Sequence, residues 1–423
     1  MAVHEEPTGE ERGRAVADRV PIFSLLGAEV ISSVGNNITT LAVPWFVLVT
    51  TGSAVRMGLT GAAMGIGSAL AAVLGGPLVD RLGFKRASVL ADLICAGIVV
   101  AIPLLYLAGD FAFWQLLVLV FLLSCINTPG DSARYALIPG LAGRARMPIE
   151  RANAADRAIA RLAQVVGPLL AGGLITLLGA ANVLFVDAAT FVASAALVAL
   201  GVPSAVSARV EAEATGRPGY LRELLDGLRF VRWNALVLSM FLVATVTNFL
   251  DVPLVTVILP VYAREFYGSA ASLGAMVGSL AGGAFVGTLL FGAVGHRLPR
   301  RLTLISCFVL APLILYAALV TTPPLEVVVA AGALAGLISG PINPLYETVI
   351  QEQTPPQMLG RVFGALQALA MAGIPFGTAL AGFAVAGLGL IPTIAAGGVI
   401  YVAVTLSMFF RPALRQLDAP AKR

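Results

Sequence analysis

Stretches of about 20 apolar residues, the length at which an α-helix crosses a hydrocarbon core, recur along the whole 423-residue chain. Twelve such windows can be drawn, at 21–50, 54–78, 88–108, 112–137, 156–178, 181–202, 235–261, 272–294, 302–320, 325–347, 361–385 and 388–410. With 58% hydrophobic and only 12% charged residues, the chain has too little polar material to cover a water-soluble core of this size. Lipid is the expected solvent. The expected fold is all-α and integral to a membrane, with twelve transmembrane helices.

The remaining residues exclude several function classes. The first twenty carry Glu5, Glu6, Glu10 and Glu11 and lack the basic, apolar, small-residue order of a cleaved signal, so the first span is expected to be retained. Cys95, Cys125 and Cys307 fall inside spans, and His4 and His296 have no ligand cluster around them. Neither a disulfide framework nor a metal site is supported. The only lysines are Lys85 and Lys422, and neither follows the glycine-rich turn of a P-loop, so ATP is not expected and any work must draw on a gradient. No cofactor is implied. Placing the N-terminus inside puts every Lys and Arg except Arg56 and Arg264 on the cytoplasmic side or its membrane edge. The net charge of +4 thus follows from topology and is not a nucleic-acid footprint.

Six spans, a polar stretch and six more spans suggest a duplicated chain. "GPLVDRLGFKR" at 76–86 aligns with "GAVGHRLPRRL" at 292–302, placing Asp80 over His296 and Arg81 over Arg297. "VGPLLAGG" at 166–173 is echoed by "AGIPFGTALAGF" at 372–383. The expected organisation is a cytoplasmic tail over 1–19, a six-helix bundle over 20–202, a cytoplasmic linker over 203–234, a second, pseudo-symmetric six-helix bundle over 235–410, and a cytoplasmic tail over 411–423. In the linker, Leu221, Leu224, Leu225, Leu228 and Val231 recur at helical spacing with arginines on the other face, which predicts an amphipathic surface helix over 220–233.

With these features the sequence resembles the major facilitator superfamily, and within it the drug-exporter-like branch that includes macrolide and siderophore exporters. The most specific likeness is the loop after the second span, through Gly76, Leu78, Asp80, Arg81, Gly83, Lys85 and Arg86. The resemblance implies that Asp80 meets the N-terminus of the eleventh helix, near Gly360 and Arg361, and latches the cytoplasmic side. His296 stands in the corresponding place of the second half and breaks the symmetry. Gly167, Pro168, Gly172 and Gly173 resemble the antiporter glycine-proline motif, with Ala163 and Ala171 where glycines are expected. The fourth span departs from the proton-coupled pattern, since its only arginine, Arg134, lies late.

Carboxylates inside spans cost about 2.5–3.5 kcal/mol at the helix centre by insertion scales, so each needs a reason. Glu29 lies in a polar stripe with Ser32, Ser33, Asn36 and Asn37 and is the first proton-coupling candidate; a fixed hydrogen bond between helices is the alternative. Asp251, near Asn248 and Pro253 in the seventh span, is the second. Asp187, beside Asn182 and Thr190, is expected to be structural first and a coupling candidate third. Asp92 needs no more than snorkelling or loop pairing. Asp131, Arg134, Glu347 and Arg361 are expected to form an ion-pair network at the cytoplasmic edge with the Asp80 loop, broken when that side opens; a static pair is the alternative. Gly373, Pro375 and Gly377 allow bending or close helix contact, and Trp45, Phe46 and Phe249 face either a cavity or lipid.

The expected function is transport and not catalysis: proton-coupled antiport that expels a small amphipathic or hydrophobic organic compound by alternating access from a midplane site. The partners are that solute, protons and the bilayer of the plasma membrane, and a monomer is expected to suffice. An importer or symporter shares the fold, and a non-transporting scaffold or sensor is the rival from another class.

Overall fold

The structure, a computed structural model, describes residues 19–109, 111–204 and 220–418. Among them twelve long helical rods follow one another: α1 (Val20–Thr51), α2 (Ala54–Leu82), α3 (Phe84–Leu107), α4 (Phe113–Arg144), α5 (Ile149–Leu178), α6 (Ala180–Gly201), α7 (Ala235–Tyr267), α8 (Ala270–Arg297), α9 (Arg300–Thr321), α10 (Leu325–Gln353), α11 (Pro356–Leu388) and α12 (Leu390–Phe410). A separate linker helix, Tyr220–Trp233, lies between α6 and α7. No strand occurs among the described residues. The rods α3 to α12 are long and apolar enough to cross a membrane. At 1.5 Å rise per residue, α1 and α2 reach about 48 and 44 Å and are also long enough. The polar stripe of α1 makes it less apolar than the others.

Local chemistry explains where the rods begin and end. The Ser53 side chain accepts from the Arg56 amide at the start of α2, and Asn234 accepts from the amides of Leu236 and Val237 at the start of α7. Gly83 joins α2 to α3 at φ +83°, a conformation that side chains rarely adopt, and so lets one residue end a helix and begin the next. In the fourth rod the long helix ends at Ala136, next to the expected 137, and a short separate helix, Ile138–Arg144, follows it. α5 starts at Ile149 and not near 156, because helix-forming polar residues such as Glu150 and Arg151 extend it ahead of its apolar window, which hydropathy does not detect.

Six helices pack in each half with one pattern. In the first half α1 packs on α5 and α6, α2 on α4, and α3 on α4 and α6. In the second half α7 packs on α11 and α12, α8 on α10, and α9 on α10 and α12. Each second-half pair is a first-half pair shifted by six rods. The halves meet most extensively through two contacts related in the same way, α2 with α11 and α5 with α8, and further through α7 against α1 and α2. Each of the first two is closed by opposed glycines. A Cβ built on Gly58 would lie 2.5 Å from the Thr378 carbonyl oxygen and 3.0 Å from Gly382 Cα. One built on Gly172 would lie 2.7 Å from the Ala270 carbonyl oxygen and 2.9 Å from Gly274 Cα. Both contacts sit toward the ends of the rods that carry the α1–α2 and α5–α6 turns.

The linker helix docks on the first part of α11. Gly227 abuts the backbone oxygen of Arg361, leaving no room for a side chain, and Asp226 pairs with Arg361 at 3.4 Å. Val231 packs with Val362 and Leu366. Leu225, expected on the apolar face, is instead 64% exposed, because the docked face is centred on Gly227 and Val231. The side chains of Leu221 and Leu224 lie outside the described residues. Gly227→Val should therefore release the linker helix and make a peptide bond within 220–233 cleave faster in limited proteolysis; an unchanged cleavage rate would contradict this docking.

Candidate transport cavity and buried charge network

In the first half, one arginine gathers acids from three helices. Arg134 of α4 is 1% exposed. Its Nη1 donates to Asp92 Oδ2 on α3 at 2.9 Å and to Ser194 Oγ on α6 at 2.8 Å. Its Nη2 donates to Ser32 Oγ on α1 at 3.0 Å and to Asp131 Oδ1, one turn before it on α4, at 2.5 Å. Its Nε lies 3.1 Å from Glu29 Oε2 on α1, in ion-pair contact but without hydrogen-bond alignment. Ser194 Oγ also donates to Asp92, and Ser33 Oγ donates to Glu29. Four helices are thus pinned by one guanidinium. Three carboxylates around a single cation leave the cluster with excess negative charge when all are ionised.

This geometry corrects the edge network inferred from sequence. Asp131 and Arg134 do pair, but inward with Glu29 and Asp92. Arg361 pairs with Asp226 of the linker helix, and Glu347 makes no ion pair among the described residues; it lines the cavity described below. Asp92 does not snorkel. It is 1% exposed, its Oδ2 accepts twice, and its partners, Arg134 at 42 positions and Ser194 at 102 positions along the chain, leave no local sequence signal. Glu29 keeps partial contact with the surroundings, with its side chain 22% exposed.

Asp187 sits apart from this cluster. It is buried and accepts from Thr39 of α1 and from Thr190. Asn182 is not its partner, because that amide donates to the Leu178 carbonyl. Gly35 lies directly beneath, where a Cβ would fall 2.7 Å from Asp187 Oδ1. Asp187 and Thr39 thus form a polar rivet between α1 and α6.

Between the halves lies a cavity of about 820 Å³. Its inner wall holds Asp251 and Asn248 of α7, Tyr316 of α9 and Tyr401 of α12, and its lining continues to Arg157 on α5 and Glu347 on α10. Tyr401 Oη donates to Asp251 Oδ2 at 3.1 Å. Trp45 and Phe46 do not line it: both are buried, and Phe46 packs edge-on against Tyr106 and Phe111. Phe249 is spent on helix contact, its backbone oxygen lying against Gly377.

The glycine-proline segment of α5 splits by face. Gly167 abuts Asn37 of α1 and Gly172 abuts α8, whereas Gly173 has open space around its Cα. Gly173 therefore makes none of the close contacts expected of it. In α11 the helix is interrupted at Gly373, two residues before Pro375. At the α2–α3 turn, Lys85 Nζ donates to the Ala199 carbonyl at the C-terminal end of α6, so this cation caps a helix end. Gly76, Arg81 and Arg86 are exposed. Asp80 is in the last turn of α2, and its side chain lies outside the described residues.

The packing at the α1–α2 side suggests a direct test. Gly58→Leu or Gly172→Leu should force the halves apart there. A cysteine replacing Asn248, in a background without Cys95, Cys125 and Cys307, should then react at least about tenfold faster with a membrane-impermeant maleimide added from that side. An unchanged rate would show that these glycines do not close the cavity.

Comparison with known proteins places this geometry. Residues 19–423 match the family described as "Transmembrane secretion effector". The multidrug efflux pump Tap of Mycobacterium tuberculosis is 32% identical over 413 residues, covering 95% of this chain and 96% of the relative. Macrolide efflux protein A of Streptococcus pyogenes is 23% identical over 363 residues, covering 84% and 87%. The crystal structure of the nucleoside transporter NupG superposes with a TM-score of 0.71 at 13% identity, covering 92% of this chain and 98% of that one. The last likeness concerns the fold alone.

Proposed function

The chain belongs to the transmembrane secretion effector family of the major facilitator superfamily, and from that premise we propose that it is a proton-coupled exporter of small amphipathic or hydrophobic organic compounds. It is a multi-pass membrane transporter with a small-molecule substrate and not an enzyme. The observation that carries the proposal is the cavity of about 820 Å³ lined by α5 of the first half and by helices of the second, in a molecule whose two pseudo-symmetric halves are held together elsewhere by opposed glycines. A volume in this range accommodates a drug-sized solute. In alternating access the halves rock about such a site. The cytoplasmic orientation of the cavity mouth follows from the charge asymmetry of the loops, and the expected location is the plasma membrane with both termini inside.

Coupling is assigned to the Arg134 cluster, with Glu29 as its exchangeable acid. Glu29 is the member that retains exposure and is carried by α1, so a relative movement of α1 and α4 would make or break its contact with Arg134. Asp251 and Asp187 are the second and third candidates. The α2–α3 turn is proposed as the cytoplasmic latch, and Asp80→Asn should reduce export without impairing insertion; normal export by the correctly inserted variant would remove that role. Orientation is tested by labelling single cysteines from outside: positions near Arg56 and Gly109 should react and positions near Lys85 and Arg146 should not. Outside labelling at Lys85 would invert the proposed topology.

A further inference from the structure

We infer that Asp251, beside the paired rings of Tyr401 and Tyr316, is the counter-ion for a cationic centre on the substrate, so that this site takes amphipathic organic cations. The inference rests on the reading of the cavity as the transport site. Asp251 is sixteen residues into α7 from Ala235, about 24 Å along the rod, well inside the apolar region. A carboxylate at such depth ordinarily has a cationic partner. Glu29, Asp92 and Asp131 follow that rule through Arg134. Asp187 is held by Thr39 and Thr190 instead and does not line the cavity, whereas Asp251 lines the cavity without a cationic partner among the described residues. Its hydrogen-bond partner among the described residues is the Tyr401 phenol, and no Arg, Lys or His lies within ion-pair distance of it among them. Arg157 and Arg161 line the same cavity from α5, yet neither reaches the carboxylate.

The surroundings of Asp251 suit an organic cation better than a metal ion or a bare proton. Tyr316 and Tyr401 stand with ring centroids 6.1 Å apart and planes inclined at 50°. Tyr316 is seated on α12 at Gly398, where a Cβ would lie 3.0 Å from the tyrosine's own Cβ, and this close approach brings the two rings side by side. Phe308 and Phe285 extend the apolar wall. Aromatic faces attract a desolvated organic cation, and the carboxylate neutralises it. The phenol holds one carboxylate oxygen in place, and Oδ1 has no hydrogen-bond partner among the described residues. A hard metal ion would want several charged oxygen ligands, and the cavity lining carries two carboxylates, Asp251 and Glu347, on different helices. No group of three or more His, Cys, Asp or Glu suited to a metal occurs among the described residues.

The test is equilibrium binding to the purified full chain in detergent with three probes: tetraphenylphosphonium, its size-matched anion tetraphenylborate, and neutral triphenylphosphine oxide. The wild type should bind the cation at least about tenfold more tightly than the anion, which corresponds to about 1.4 kcal/mol. Asp251→Asn should abolish that preference while leaving the affinity for triphenylphosphine oxide within about threefold, and Asp251→Glu should retain it. Tyr401→Phe should weaken cation binding by a smaller factor. A wild type that binds the neutral or anionic probe at least as well as the cation would overturn the inference while leaving the transport reading in place. The same holds for an unchanged cation preference in folded Asp251→Asn. Binding of none of the probes would overturn both.

Discussion

Replacing Arg134 with Met should destabilise the folded protein by about 3–5 kcal/mol, the range for removing one partner of a buried ion pair. The guanidinium is 1% exposed and holds Glu29, Asp92 and Asp131 from α1, α3 and α4, as well as Ser32 and Ser194. Without it those carboxylates remain in a low-dielectric interior with no cation. The loss is read from reversible unfolding in mixed micelles. Arg134→Met combined with Asp92→Asn should recover part of it, because neutralising an acid removes some of the uncompensated charge. A loss below about 1 kcal/mol in the single variant, the level of an exposed pair, would contradict a buried cluster.

Glu29→Gln should abolish uphill export driven by a pH difference, while binding and downhill exchange of substrate persist. The amide is a permanently neutral mimic of the protonated acid, so it can fill the site near Arg134 and Ser33 but cannot carry a proton in and release it. The expected outcome separates the two acid sites: Glu29 substitutions alter the dependence on the pH gradient, and Asp251 substitutions alter the choice of substrate. The check is accumulation and counterflow measured side by side on one proteoliposome preparation. Uphill accumulation by Glu29→Gln would move coupling to another acid or to none.

Much of this architecture was legible because hydropathy and charge act along the chain. Apolar windows located the rods, the linker period located the helix at Tyr220–Trp233, and the loop motif pointed to the superfamily. The charge network was less legible because it depends on depth and on distant partners. Arg134 does stand in the last turn of its helix, which ends at Ala136; what buries it is the set of partners on α1, α3 and α6, 102, 42 and 60 positions away along the chain. Asp92 looks superficial from sequence because α3 begins at Phe84 and not at 88. Its partner Ser194 is an ordinary residue in an apolar helix and carries no signal of its own. Tyr401 and Tyr316 were equally silent: a lone tyrosine in a membrane helix says nothing about the carboxylate on α7 that it faces. The glycine pairs at 58 and 382 and at 172 and 274 were visible only as glycine-rich helices, because which glycine opposes which is set by how the two halves meet.

On the proposed mechanism a proton gradient drives outward movement of an organic solute through the cavity. The decisive measurement uses the purified protein in proteoliposomes oriented like inverted cell vesicles, loaded acid inside, with tetraphenylphosphonium outside and the membrane potential clamped to zero. The probe should accumulate inside against its gradient, the accumulation should collapse on adding an uncoupler, and protons should move out as the probe enters. Probe distribution that ignores the imposed pH difference, in protein that binds the same probe in detergent, would contradict proton-coupled export.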